Sequence, residues 1–173
     1  PVMFHLLLLD PGPAIYVGRP CYFGLASEPP CTPRDWTLGR FGPAVVDSLE
    51  AVVRSASQGA AAIELYGHSG GGALAVLLAR RLEQVSRIVT LSGNLDPATW
   101  ADLHDYTPLR GSLDPLTGGF LPARIEQLHF AAADRAVRYA NTGVEQAQVI
   151  VDFCRRAYGR SGVAAGPALI DRD

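Results

Sequence analysis

A chain of 173 residues, 48% apolar and 18% charged, is long enough for one domain with a substantial core and is not a disordered polypeptide. The formal net charge is −2, all fifteen basic residues are arginine, and no basic stripe stands out, so nucleic acid and anionic membranes are poor candidate partners. No run reaches the roughly eighteen apolar residues of a membrane span, and the opening PVMFHLLLL lacks the basic leader and cleavage pattern of a signal peptide.

Residues 2–9 read as the end of a helix, stopped by Asp10-Pro11-Gly12-Pro13. A short strand is expected at 14–17. Residues 18–37 form a long loop with four prolines, unusual in a compact domain unless it lines a site or is pinned. Residues 41–57 are amphipathic, with Val45, Val46, Leu49, Val52 and Val53 on one face. A strand at 61–66 and a helix at 71–82 flank a glycine-rich turn, and a second strand at 87–91 ends in Ser92-Gly93-Asn94. Residues 96–120 are polar and turn-rich, with a short helix near 97–103. A strand at 128–132, a helix at 144–158 and a short strand at 168–170 complete the chain. There are no internal repeats.

Alternating strands and helices predict a single α/β domain over 1–173, a mostly parallel sheet with helices on both faces. Functional groups collect at the carboxyl ends of the strands in such sheets. Ser69, Ser92, Asn94, Asp96 and Asp134 all fall just past predicted strands.

Cys21 and Cys31 flank the proline-rich loop and could bridge it, whereas Cys154 reads as a small buried hydrophobe in a helix. A pair of cysteines ten residues apart does not fix the redox compartment. The four histidines are scattered and no Cys-x-x-Cys occurs, so there is no metal-ligand pattern, and no cofactor is expected.

The most informative stretch is AAAIELYGHSGGGALAVLLA, residues 60–79. It has the order strand, tight turn, helix, with Gly67-His68-Ser69-Gly70-Gly71 matching Gly-x-Ser-x-Gly. A serine held on a strained backbone clears the sheet, and residues two before and two after it, Gly67 and Gly71, are expected to come too close for a Cβ atom. The helix after the turn aims its free N–H groups at the same place, where they can receive an oxyanion. The competing reading is a glycine-rich turn with an incidental serine; the apolar strand before it and the helical period after it favour the first.

A serine hydroxyl needs a base, and the base needs a group to orient it. In hydrolases of this layout the chain order is serine, acid, histidine. Asp134, presented by the turn that follows the strand within LHFAAADRAV, is the best acid; Asp96 is second, with helix N-capping before Pro97 the preferred account of it. No histidine occurs after His129. His68 adjoins Ser69 on a tight turn, where neighbouring side chains diverge, and reads as a pocket-lining residue. His129 reads as a satisfied core histidine, and His104 is the one that could swing toward the site. Gly70 N–H is the expected oxyanion donor.

The chain resembles the α/β-hydrolase superfamily, specifically its serine esterase and lipase-like members. The residues that carry the resemblance are Gly67-His68-Ser69-Gly70-Gly71 with its strand and helix, together with Ile15-Tyr16-Val17-Gly18-Arg19-Pro20-Cys21, Val89-Thr90-Leu91-Ser92-Gly93-Asn94-Leu95-Asp96 and Asp134-Arg135-Ala136-Val137. It covers roughly residues 14–137. It implies an eight-stranded, mostly parallel sheet and hydrolysis of an ester or related acyl bond, with Ser69 as nucleophile, Gly70 as oxyanion donor and Asp134 as triad acid. It also implies first strands with an oxyanion loop upstream of Pro1 and a histidine loop beyond Asp173, so that this chain is truncated at both ends. A Cys21–Cys31 bridge is implied too, which would suit a periplasmic or secreted location; a cytoplasmic one stays open.

Two functions are expected alternatives. One is a serine hydrolase acting on a small-molecule ester or acyl substrate through an acyl-enzyme at Ser69, with acyl transfer using the same residues. The other is a hydrolase-like protein that binds a small ligand without catalysis, or an inactive fragment. Oligomeric state and substrate identity are not legible.

Overall fold

The computed structural model describes residues 2–130. Its centre is a three-stranded, all-parallel sheet of β1 (Ile63–His68), β2 (Val85–Leu91) and β3 (Glu126–Phe130), in that spatial order. Parallel strands need crossover connections, and the helices between them supply these. α3 (Gly70–Ala79) comes directly after β1, and α4 (Pro97–Leu103) lies between β2 and β3. The remaining helices, α1 (Val2–Leu9) and α2 (Pro43–Ala56), precede the sheet.

Side-chain alternation along β2 explains the layering. Ile88 faces the larger core, in which α3 and the Val45, Val46, Leu49 and Val53 face of α2 are packed. Val89 and Leu91 face the other way and join Phe130, where Val2, Met3 and Leu6 of α1 cover them. Helices therefore lie on both faces of the described sheet. α3 is buried from Gly72 to Ala79, as an apolar helix between a sheet and a second helix must be. Truncating a side chain at its centre, such as Leu77→Ala, is expected to cost about 2–5 kcal/mol.

Register is marked by charge as well as by burial. Arg87 on the middle strand pairs with Glu64 on β1 at 2.8 Å and with Glu126 on β3 at 2.6 Å, and the same three residues are aligned across the ladders.

Several expectations change. The strand expected at 14–17 is not formed: the segment runs without a ladder partner, and Tyr16 stacks on Phe4 of α1 instead, ring centroids 4.3 Å apart. The segment 18–37 is not irregular throughout. Successive turns run from Tyr22 to Cys31, and a 3₁₀ turn spans Pro33–Trp36, entered through an Asp35 carboxylate that accepts from the Thr32 N–H at 2.8 Å. Cys21 and Cys31 form a disulfide across it. Val52, expected on the apolar face of α2, is 46% exposed, because α3 covers a narrower stripe than the apolar positions offer. β1 begins two residues later than expected and runs on to His68, and β3 begins at Glu126. The sheet has three described strands where the resemblance implies eight. The expected helix at 144–158, the strand at 168–170, Cys154 and Asp134 lie outside the described residues. Among the described residues no helix is long and apolar enough to cross a membrane.

Candidate functional site

β1 ends at His68, α3 begins at Gly70, and Ser69 alone makes the turn. Its backbone sits at φ 51° and ψ −121°, a region that side chains other than glycine's rarely occupy and that stores about 1–3 kcal/mol. Three hydrogen bonds hold it there. Ser69 N–H donates to the Leu91 carbonyl at 2.9 Å, and the Ser69 carbonyl accepts from Gly72 N–H and from Asn94 N–H, each at 2.9 Å. The turn is thus fastened to the end of β2 and to the loop after it, while Ser69 itself is exposed.

Glycines make the fastening possible. A Cβ on Gly67 would overlap the Gly71 carbonyl and lie 2.6 Å from the Gly72 nitrogen. The second crowded position is Gly72, not Gly71 as expected. A Cβ on Gly72 would come 2.7 Å from Gly93 Cα and 3.2 Å from Thr90 Cβ, whereas one on Gly71 meets nothing within 4 Å. The reason is helical rotation: α3 starts at Gly70, so residue 72 faces β2 and the Gly93 backbone while residue 71 turns away.

Thr90 forms the floor beneath Gly72 and Gly93, and its Oγ1 lies 2.9 Å from Nδ1 of His129. His129 is buried, as a core histidine should be, and burial pushes its pKa down to about 4. The ring is therefore neutral at pH 7.

Of the candidate residues, Ser69, Gly70, Ser92, Asn94 and Asp96 gather at the carboxyl ends of β1 and β2. Gly70 is the first residue of α3, where backbone N–H groups lack intrahelical acceptors. Asn94 is buried and its Oδ1 has no hydrogen-bond partner among the described residues. Asp96 caps α4, its carboxylate accepting from Thr99 N–H at 2.9 Å, which accounts for it without catalysis. His68 is exposed at the end of β1 beside Ser69. His104 comes just after α4 within an aromatic group, its ring 5.6 Å from Trp100 and 5.5 Å from Tyr106. Among the described residues no group of three or more histidine, cysteine or acidic side chains could hold a metal ion.

Residues that the sequence did not single out also border the turn. Arg19 Nη1 lies 3.4 Å from the Cβ position of Gly70, and the ring of Phe41 lies 3.1 Å from it. The Arg19 guanidinium stacks on Tyr22 at 4.3 Å, and Arg40 sits 6.0 Å above Trp100. The available signal was position: Arg19 precedes Cys21 by two residues, inside a loop that the disulfide pins. Comparison of the chain with family models, curated proteins and solved structures gave no match.

Proposed function

We propose that the protein is a serine hydrolase of the α/β-hydrolase type, acting on an ester or related acyl bond. The observation that carries this reading is the backbone of Ser69, held at φ 51° and ψ −121° between a parallel strand and the start of a helix. Strain of that kind persists only where the surroundings over-determine it, and it clusters where function needs it.

In this reading Ser69 Oγ attacks the acyl carbon and its proton passes to a base. The carbonyl oxygen gathers negative charge beside Gly70 N–H and the N-terminus of α3, whose partial positive charge favours it. Collapse of the tetrahedral intermediate expels the alcohol and leaves an acyl-enzyme. Water then attacks the ester to Ser69, releasing the acid and restoring the hydroxyl; an acceptor alcohol in place of water gives acyl transfer. Asp134 is the orienting acid by its resemblance to the family pattern. Neither His129, buried against Thr90, nor His104, packed with Trp100 and Tyr106, is assigned as the base. Without a histidine in that role, turnover is expected to fall about 10⁶-fold below that of a complete triad.

The test is labelling with a neutral fluorophosphonate, read by peptide mass spectrometry. Label on Ser69, slow for want of an assigned base and lost in Ser69→Ala, is expected. Label that survives Ser69→Ala would overturn the assignment, and no label on the unsubstituted chain would leave the non-catalytic, ligand-binding reading.

A further inference from the structure

Arg19 is fixed beside the turn that carries Ser69. Two residues on, Cys21 is bridged to Cys31, and just before it a Cβ on Gly18 would lie 2.7 Å from the Phe23 ring, so the loop closes tightly on its own start. The guanidinium carbon sits 4.3 Å from the centroid of Tyr22, and Nη1 lies 3.4 Å from the Cβ position of Gly70. Phe41 packs at the same point, its ring 3.1 Å from that position. A residue's backbone nitrogen and Cβ are about 2.5 Å apart, which places Nη1 no more than about 6 Å from the Gly70 nitrogen. Two N–H donors can share one oxygen, at about 2.9 Å from each, only when they lie within about 6 Å of one another. The Arg19 guanidinium and the Gly70 N–H are that close. Burial lowers the pKa of Arg19, yet arginine keeps its charge, and a partly desolvated cation acts more strongly on a nearby oxygen than one in water.

We propose that Arg19 is a catalytic residue of the Ser69 reaction, its guanidinium donating to the substrate oxygen that also accepts from Gly70 N–H. The proposal rests on the hydrolase reading and gives it a second oxyanion donor from within this chain. When Ser69 Oγ bonds to the acyl carbon, the π pair of the carbonyl moves onto its oxygen. The Gly70 N–H and the Arg19 cation meet that new charge together. On collapse the pair returns, the carbonyl re-forms and the bond to the leaving alcohol breaks, the alcohol oxygen taking the proton that Ser69 gave to the base. Arg19 gives up no proton in either step. Such donors lower a barrier only if they are in place before the charge develops. The Cys21–Cys31 bridge, the Tyr22 stack and the Phe41 contact hold the guanidinium there in advance.

The rate of labelling by a neutral fluorophosphonate tests this on the 173-residue chain. Ser69 Oγ attacks phosphorus, fluoride leaves, the hydroxyl proton passes to solvent, and the phosphoryl oxygen takes the place of the oxyanion. Arg19→Ala is expected to slow labelling about a hundredfold, the usual cost of one lost oxyanion donor. Added methylguanidinium at millimolar concentration is expected to restore the rate of Arg19→Ala at least tenfold and to leave the unsubstituted chain unchanged. A purely structural role for Arg19 would show no such rescue. Circular dichroism verifies that the fold is kept, and Arg19→Gln, which preserves much of the side chain's bulk, carries the same expected loss if Arg19→Ala fails to fold. Labelling of both variants at the unsubstituted rate, or a loss in folded Arg19→Ala that methylguanidinium does not repair, would overturn the role of Arg19 and leave the hydrolase reading standing. Absence of label on the unsubstituted chain would sink that reading, and the role of Arg19 with it.

Discussion

Two serines in this molecule occupy the same topological position and lead into different structure. Ser69 directly follows β1 and Ser92 directly follows β2; both have positive φ, 51° and 45°. Each backbone N–H donates to the last carbonyl of the next strand, Ser69 to Leu91 at 2.9 Å and Ser92 to Phe130 at 2.6 Å. Ser69 then enters α3 at once, whereas Ser92 leads into Gly93-Asn94-Leu95 and reaches α4 only at Pro97. The contrast separates two ideas that a motif merges. A strained serine at a strand end is a product of parallel-sheet geometry; a strained serine at the N-terminus of a buried helix has, in addition, the field that stabilises an oxyanion.

The sharpest way to break the contrast is chemical. Ser69→Ala is expected to abolish fluorophosphonate labelling and Ser92→Ala to retain it, and the opposite pattern would assign the chemistry to the wrong turn. Next in size is the crowding at Gly67. Gly67→Ala drives a methyl into the Gly71 carbonyl and is expected to destabilise by about 3 kcal/mol or more, while Gly71→Ala, with open space, should change stability by less than about 1 kcal/mol. Urea denaturation of the two variants measures this directly. The floor shared by both turns gives a pH effect. The pKa of His129 is about 4 in the folded chain against an ordinary value of 6.5, so the unfolded chain binds the extra proton between those values. Stability is therefore complete above pH 6.5 and falls as the pH drops toward 4, by up to about 3 kcal/mol from this group. His129→Asn should flatten that part of the profile. Smallest is the strain itself: Ser69→Gly should raise stability by about 1 kcal/mol, net of the added freedom of the unfolded chain, and abolish labelling.

Much of the scaffold was legible because its signals are local. The apolar run 61–66 and the helical period after Gly71 located β1 and α3, and Asp-Pro-Ala located the start of α4 together with the capping role of Asp96. The errors came from partners. Residues 14–17 have strand-like side chains, but a strand exists only if another offers a ladder, and Tyr16 found Phe4. Gly72 was overlooked because its close neighbour, Gly93, is distant in sequence and only packing brings it near. The strained turn at Ser69 was legible, and the side chains that border it were not. Arg19 sits in a segment without period, and its place beside Gly70 depends on turns and a disulfide that spacing leaves open.

Arg87, between Glu64 and Glu126, has a use that stability does not measure. These pairs are substantially exposed and each is worth about 0–1 kcal/mol. Yet one cation satisfied by two acids, from strands 23 and 39 residues away, behaves as a check on order and alignment together. A one-residue slip of either neighbour would turn its glutamate to the opposite face of the sheet and leave the guanidinium half answered. The sheet thus carries, at its solvent edge, a record of which three positions belong side by side, and correct alignment there brings Ser69 and Ser92 to the same level at the other end of the strands.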